Sequence, residues 1–177
     1  MILGLDISTS KIGLAVLDDE KKLLHYNLIK YKKNLTLEQK TEYFMALMEK
    51  YTKKMEIKYV FIEQPFIAFS GGKTTAHTMA KLQRFNGMCC YGLYCLYGFA
   101  PELIQANKAR GLVGLKIKRG EKAKKKVVEW AEETYPNIFS YELTRYGNPK
   151  PGTDDMADAI VIATAGSKLI EEQSIEE

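Results

Sequence analysis

Residues 1–29, MILGLDISTSKIGLAVLDDEKKLLHYNLI, read as three short β-rich runs divided by turns. Residues 2–6, 13–17 and 23–29 are dominated by aliphatic side chains, and Asp18-Asp19-Glu20-Lys21 has the length and polarity of a hairpin loop. Three antiparallel strands fit best. Asp6 is the only acid among the first seventeen residues, and it closes a strand whose Ile2, Leu3 and Leu5 belong in a core. A charge in that position must be paired, hydrated or bound to metal.

Working outward, Thr36-Leu37-Glu38-Gln39 offers a capping box, and Leu37, Phe44, Leu47, Met48 and Tyr51 recur at helical spacing, which predicts a helix over about 37–54. Tyr59-Val60-Phe61-Ile62 is a continuous apolar run of the kind that forms a strand buried on both faces, and Glu63 ends it. Beyond a loop over 64–72, residues 73–99 predict a long helix, polar at first and then apolar nearly all round, hence buried in the core or against another subunit. A strand over 102–106, a helix over 122–135 stopped by Pro136, and a polar loop over 141–152 follow. Thr153 or Asp154 then caps a last helix to about residue 170, and the acidic residues 171–177 are expected to fray. The order β-β-β-α-β-α-β-α-α predicts an α/β domain over 1–170. Its mixed five-stranded sheet has three antiparallel strands first, parallel additions afterwards, and helices on both faces.

At 177 residues and 46% hydrophobic, the chain suits one domain with a sizeable core, and it shows neither a repeat nor a Pro/Ser/Gly-rich tract. Its greasiest stretch, 88–100, is interrupted by Gly92 and Gly98 and falls short of the ~18 residues of a membrane span. Residues 1–7 are too short and too polar for a signal peptide. Cys89, Cys90 and Cys95 sit together in the apolar stretch, which suits buried reduced thiols better than a disulfide framework or a zinc site. A cytoplasmic protein without a membrane partner is expected.

The net charge of +4 hides a strong asymmetry. Residues 108–126 carry Lys108, Arg110, Lys116, Lys118, Arg119, Lys122, Lys124, Lys125 and Lys126 against Glu121 alone, leaving the rest of the chain net acidic. Such a cluster is what a polyanion-binding face would look like, and also what a solvated lysine-rich loop and helix face would look like.

Glu63 repeats the situation of Asp6, so adjacent strands would project both carboxylates from one sheet edge. In Thr153-Asp154-Asp155-Met156-Ala157-Asp158-Ala159, Asp155 and Asp158 share one face of the first helical turn, and the alanines allow close approach to the sheet. Each acid alone could be a cap or a solubilising group. Together they form an all-oxygen set for hard divalent cations such as Mg²⁺, the ions of two-metal phosphodiester chemistry.

These residues carry a resemblance. Leu3-Gly4-Leu5-Asp6-Ile7-Ser8-Thr9-Ser10 with Gly13, then Ile62-Glu63-Gln64-Pro65-Phe66, then Asp155-Met156-Ala157-Asp158-Ala159 resemble, in order, the three acidic motifs of the RuvC family of Holliday junction resolvases. The likeness spans almost the whole chain and implies a ribonuclease H-like fold. It also implies two Mg²⁺ ions, replaceable by Mn²⁺, on Asp6, Glu63, Asp155 and Asp158, with Asp154 pointing elsewhere. Lysines near the scissile phosphate would be Lys108 and either Lys124 or Lys122. Phe66 matches an aromatic that stacks on an opened base at the junction centre, although core packing would also explain it. Lys116, Lys118 and Arg119 would be groove contacts. The partner would be branched DNA, chiefly four-way junctions, and the enzyme a homodimer formed around the helix from Phe85 to Phe99, making paired nicks without a nucleotide cofactor.

Ile7-Ser8 stands where many bacterial members carry a Pro-Gly pair, and the lysine-rich segment is similar to that of phage- or virus-encoded relatives, some less strict about substrate. Rival readings are a RuvX-like RNA-processing nuclease of the same fold and a non-catalytic DNA-binding module. An actin-like sugar kinase would need a second domain. Ser70-Gly71-Gly72-Lys73-Thr74 is only half a P-loop, with Ile67 where glycine is required.

Overall fold

The structure, a computed structural model, describes residues 1–32, 34–65 and 75–176. The three N-terminal strands form as expected: β1 (Ile2–Ile7), β2 (Lys11–Leu17) and β3 (Leu23–Lys30) make an antiparallel meander. α1 (Leu37–Thr52) is opened by the capping box, with Thr36 accepting from the Gln39 backbone and the Gln39 side chain accepting from that of Thr36. β4 (Tyr59–Glu63) then lies parallel to β1, and the short β5 (Glu102–Ile104) parallel to β4. The sheet order β3-β2-β1-β4-β5 puts β1 in the middle.

Strand parity divides the core. Leu3, Leu5 and Ile7 of β1 face the layer of α1 and α2 (Ala76–Tyr97), where Phe44, Met48, Phe85 and Leu93 are fully buried. The opposite face packs on α4 (Ala123–Thr134) and α5 (Thr153–Glu176) through Phe61, Val127, Ile160 and Ile162. Each such aliphatic or aromatic group contributes about 1.5–3 kcal/mol on burial. α5 lies very close to the sheet: a Cβ on Gly4 would stand 2.4 Å from the Ala159 carbonyl oxygen. Glycine in the strand and alanines in the helix are therefore both required.

Several expectations change. The strand predicted over 102–106 stops at Ile104, because Gln105 caps an unexpected seven-residue helix, α3 (Ala106–Leu112), which buries only Ala109 and so has no legible amphipathic stripe. α5 extends to Glu176, past the expected end near residue 170, and Glu171 pairs with Lys21 on its surface. The loop over 141–152 contains a hairpin, with Leu143 bridged to Pro149. Only Cys89 of the three cysteines is buried; Cys90 is half-buried and Cys95 exposed, since α2 presents Tyr91 and Tyr94 on an open face. Among the described residues no helix is long and apolar enough to cross a membrane.

Candidate active site

Parity and register bring the acids together. Asp6 lies two residues beyond Gly4 on β1, so it shares the α5-facing side, and Glu63 lies two beyond Phe61 on β4, which packs on that same side. The parallel register pairs Leu5 with Ile62, which makes Asp6 and Glu63 the next residue on each of two adjacent strands. On α5, Asp155 is buried, and Asp158 follows by about one turn on the same helix face. The helix is held at this height by Gly13, opposite Asp6 in the antiparallel register, where a Cβ would stand 1.9 Å from the Asp155 carbonyl oxygen.

The electrostatics record the convergence. The Asp6 carboxyl is pushed well above its ordinary value by burial, and then by the charges of Glu63, Asp158, Asp155 and Asp154 in decreasing order. Glu63 is pushed up to about 7 by burial and by Asp158, with Arg110 opposing. Asp158 is raised by burial against the pull of Arg110. Burial also acts to raise Asp154, but the Lys124 hydrogen bond and charge outweigh it and hold that carboxyl low.

Three cations answer these acids. Lys11, the first residue of β2, lies against Asp155 Oδ2 off the direction a hydrogen bond needs, so that buried oxygen has an ion-pair neighbour and no hydrogen-bond donor. Arg110 on α3 reaches Asp158 through Nη2 at 3.4 Å, while its buried Nε finds no partner. Lys124, in the first turn of α4, pairs with Asp154. The sequence does not single out Lys11 or Arg110: one looks like an ordinary turn lysine, the other is submerged in the basic cluster. The signal for Lys11 is its place at the end of the Ser8-Thr9-Ser10 turn, whose Ser8 hydroxyl donates to the Lys11 carbonyl at 2.8 Å.

Among the described residues, no three Asp, Glu, His or Cys side chains stand in a ready metal-binding arrangement, and Asp155 and Asp158 are each paired with a cation instead. The donor set nevertheless fits a hard divalent cation. It is all carboxylate, half-buried to buried and mutually repelling at a cost that positive charge would offset, and it includes the Asp155 oxygen that lacks a donor.

The structure brings together Asp6, Glu63, Asp155, Asp158 and, at the rim, Lys124. Lys122 caps α4 as an exposed residue without an ion pair to these acids, and Lys108 is exposed on α3. Lys116, Lys118 and Arg119 are exposed on the segment joining α3 to α4. Part of the basic cluster is neutralised locally, since Lys125 and Lys126 pair with Glu129 at 3.6 and 2.9 Å. Phe66 and the 70–74 run lie outside the described residues.

No protein-family model matches the sequence, and no curated protein matches it either. Solved structures do. Thermus thermophilus RuvC in complex with Holliday junction substrate superposes with a TM-score of 0.71 at 15% identity, covering 97% of this chain and 94% of that one. A second structure of Thermus thermophilus RuvC gives 0.65 at 14% identity, covering 97% and 95%. The yeast mitochondrial Holliday junction resolvase gives 0.60 at 15% identity, covering 98% and 80%. With the mixed five-stranded sheet and the placement of its helices, these likenesses establish that the chain has the ribonuclease H-like fold of RuvC-type proteins.

Proposed function

We propose that this protein is a Mg²⁺-dependent, structure-selective endodeoxyribonuclease that resolves four-way DNA junctions by paired nicks. The observation that carries the reading is the convergence of Asp6, Glu63, Asp155 and Asp158 at one end of a RuvC-type sheet. Isolated acids that merely cap or solubilise their elements have no reason to gather where each raises the proton affinity of the others. A surface that only binds DNA would gain nothing from four carboxylates facing phosphate.

Asp6, Glu63, Asp155 and Asp158 would hold the ions. A bound divalent cation, two per site, would supply Lewis-acid activation of the phosphodiester and of the attacking water. The chain does the rest. The rigid packing of α5 on Gly4 and Gly13 fixes the spacing of the carboxylates, and Lys124 stands where it can meet charge that develops on a phosphoryl oxygen. Hydrolysis with departure of the 3′ oxygen leaves 5′-phosphate ends that a ligase can seal. The exposed segment with Lys116, Lys118 and Arg119 supplies phosphate contacts away from the reacting bond.

Paired nicks on a nearly two-fold substrate call for two sites related by a two-fold axis, hence a homodimer acting in the cytoplasm of a cell or of a phage- or virus-infected host. The open face of α2, with Tyr91 70% and Tyr94 50% exposed beside Gly87 and Cys95, is the apolar surface suited to a second copy.

The deciding experiment incubates the protein with a four-way junction, the matching linear duplex and a structured RNA, in Mg²⁺ and in chelator. Symmetric nicking of the junction in Mg²⁺ alone is expected. Cleavage confined to the RNA would transfer the reading to a RuvX-like processing nuclease, and binding without cleavage to a non-catalytic module.

A further inference from the structure

The segment before α5 forms a hairpin whose tip is exposed, with the hydrogen bonds of residues 144–148 kept among themselves. Its rungs are regular: the Lys150 amide donates to the Glu142 carbonyl at 2.9 Å, that of Thr144 to the Asn148 carbonyl at 2.7 Å, and that of Gly147 to the Thr144 carbonyl at 2.9 Å. Gly147, at φ +77°, permits the reversal. The base is fastened on two sides. The Thr153 amide and hydroxyl both donate to the Lys150 carbonyl, at 3.1 and 2.8 Å, and Tyr26 of β3 accepts from the Ser140 amide at 3.0 Å.

At the tip the Arg145 guanidinium lies 4.5 Å from the centre of the Tyr146 ring and donates to the Tyr146 hydroxyl. Tyr146 is 73% exposed and Leu143 55%. Glu142 and Lys150 neutralise each other at the base, which leaves Arg145 as the hairpin's unmatched charge. Local turn packing explains the stacking of Arg145 on Tyr146, but not why an aromatic, an arginine and a leucine are held out in water on a braced arm.

We infer that the Arg145–Tyr146 tip is a DNA contact that grips the substrate arm next to the cleavage site, Arg145 on a backbone phosphate and Tyr146 against the sugar and base edge in the groove. The inference rests on the DNA-directed reading above. Position selects DNA over a protein partner. The tip lies four residues from Lys150, a reach of about 13 Å in extended chain, and Lys150 is fastened to the first residue of the helix bearing Asp155 and Asp158. A duplex presents roughly eight phosphates over that length, so an arm held at the carboxylates passes within the tip's range. Arginine with an aromatic ring is also the pairing that engages nucleic acid through charge and a π-face together.

The test measures equilibrium binding of the full chain to a four-way junction in chelator, across a salt series. Arg145→Ala is expected to weaken binding about tenfold and to flatten the slope of log affinity against log salt by about one, with Arg145→Lys restoring the slope. Tyr146→Ala is expected to lose about tenfold with the slope unchanged, and Tyr146→Phe to stay within about twofold of wild type. Neither alanine variant should change Tm, the side chains being exposed. If alanine loosens the turn, Arg145→Glu, which keeps a long side chain there, is expected to weaken binding and flatten the slope at unchanged Tm. Wild-type affinity and slope in the Arg145 and Tyr146 variants, with a normally binding parent, would overturn the inference and spare the functional reading. A change in oligomeric state at unaltered DNA affinity would also overturn it, by giving the tip to a protein partner. A parent that binds no DNA would remove both.

Discussion

Gly13 of β2 and Asp155 of α5 touch backbone to backbone: a Cβ on Gly13 would stand 1.9 Å from the Asp155 carbonyl oxygen and 2.4 Å from its carbonyl carbon. Because Gly13 also faces Asp6 across the strand pair, this approach sets how far the acids of α5 stand from the acid of β1. Gly13→Ala must push the helix off the sheet, and overpacking of this kind costs about 1–3 kcal/mol. The expected outcome is a lower midpoint in urea together with a loss of nicking larger than the unfolded fraction explains. Wild-type activity in a folded Gly13→Ala protein would detach the site from this close packing.

Replacing the acids separates chemistry from binding. Asp6→Asn, Glu63→Gln, Asp155→Asn and Asp158→Asn each remove a carboxylate of the cluster and are expected to lower single-turnover nicking by at least ~10²-fold, while junction affinity holds or rises because negative charge facing DNA is removed. Asp154→Asn should be milder, since Asp154 is matched by Lys124 and contributes least to the potential at Asp6. Equal losses for Asp154 and Asp155 variants would show that the two do not differ in role.

The sheet and the acids on strands are readable because they obey local rules. Period-two alternation, a run buried on both faces and a carboxylate ending each strand place Asp6 and Glu63 without tertiary information. Lys11 and Arg110 are not readable, because their significance lies in pairing across 144 and 48 residues of chain with Asp155 and Asp158. α3 escapes notice for lack of an apolar stripe, and the hairpin before α5 because glycines, prolines and polar residues read the same in a braced turn as in a loose loop.

The clustered acids give the metal-free protein an inverted pH response. Unfolded, Glu63 loses its proton near its ordinary value of 4.5; folded, it keeps it to about 7. Between those limits the native state binds more protons than the unfolded state, so stability falls as pH rises from about 4.5 to about 7 and then levels. The loss is up to ~3 kcal/mol, and Asp6 and Asp158, also raised, act in the same direction. Urea denaturation in chelator from pH 4.5 to 8 should show the decline, and added Mn²⁺ should flatten it. Stability rising across that window would refute the clustering.

Among the basic residues, distance from the acids separates two effects. Lys124→Ala should lower turnover at saturating enzyme, because an interaction that strengthens as charge develops acts on the transition state. Lys122→Ala should leave turnover near wild type. Lys116→Ala, Lys118→Ala and Arg119→Ala should weaken junction binding and flatten the salt slope by about one for each phosphate left without its cation, with turnover recovered at saturation. Reversed behaviour of Lys122 and Lys124 would assign the catalytic role to Lys122.

Lys11 supplies the sharpest test of whether this site is built for a cation. Its ammonium lies beside the buried Asp155 oxygen that lacks a hydrogen-bond donor, so Lys11 partly meets a charge requirement that a divalent ion would meet better. In Lys11→Met the apolar stem is retained and the charge removed. The metal-free protein should then be less stable, because the buried Asp155 oxygen loses its ion-pair partner. Mn²⁺ should restore more stability to the variant than to wild type, because it no longer competes with the ammonium, and calorimetry should show tighter Mn²⁺ binding. Asp155→Asn should abolish the difference, since the oxygen that both cations seek no longer carries its charge. If Lys11→Met binds Mn²⁺ no more tightly than wild type and keeps full stability in chelator, Lys11 is a surface lysine that happens to lie near Asp155, and the charge of Asp155 is balanced elsewhere.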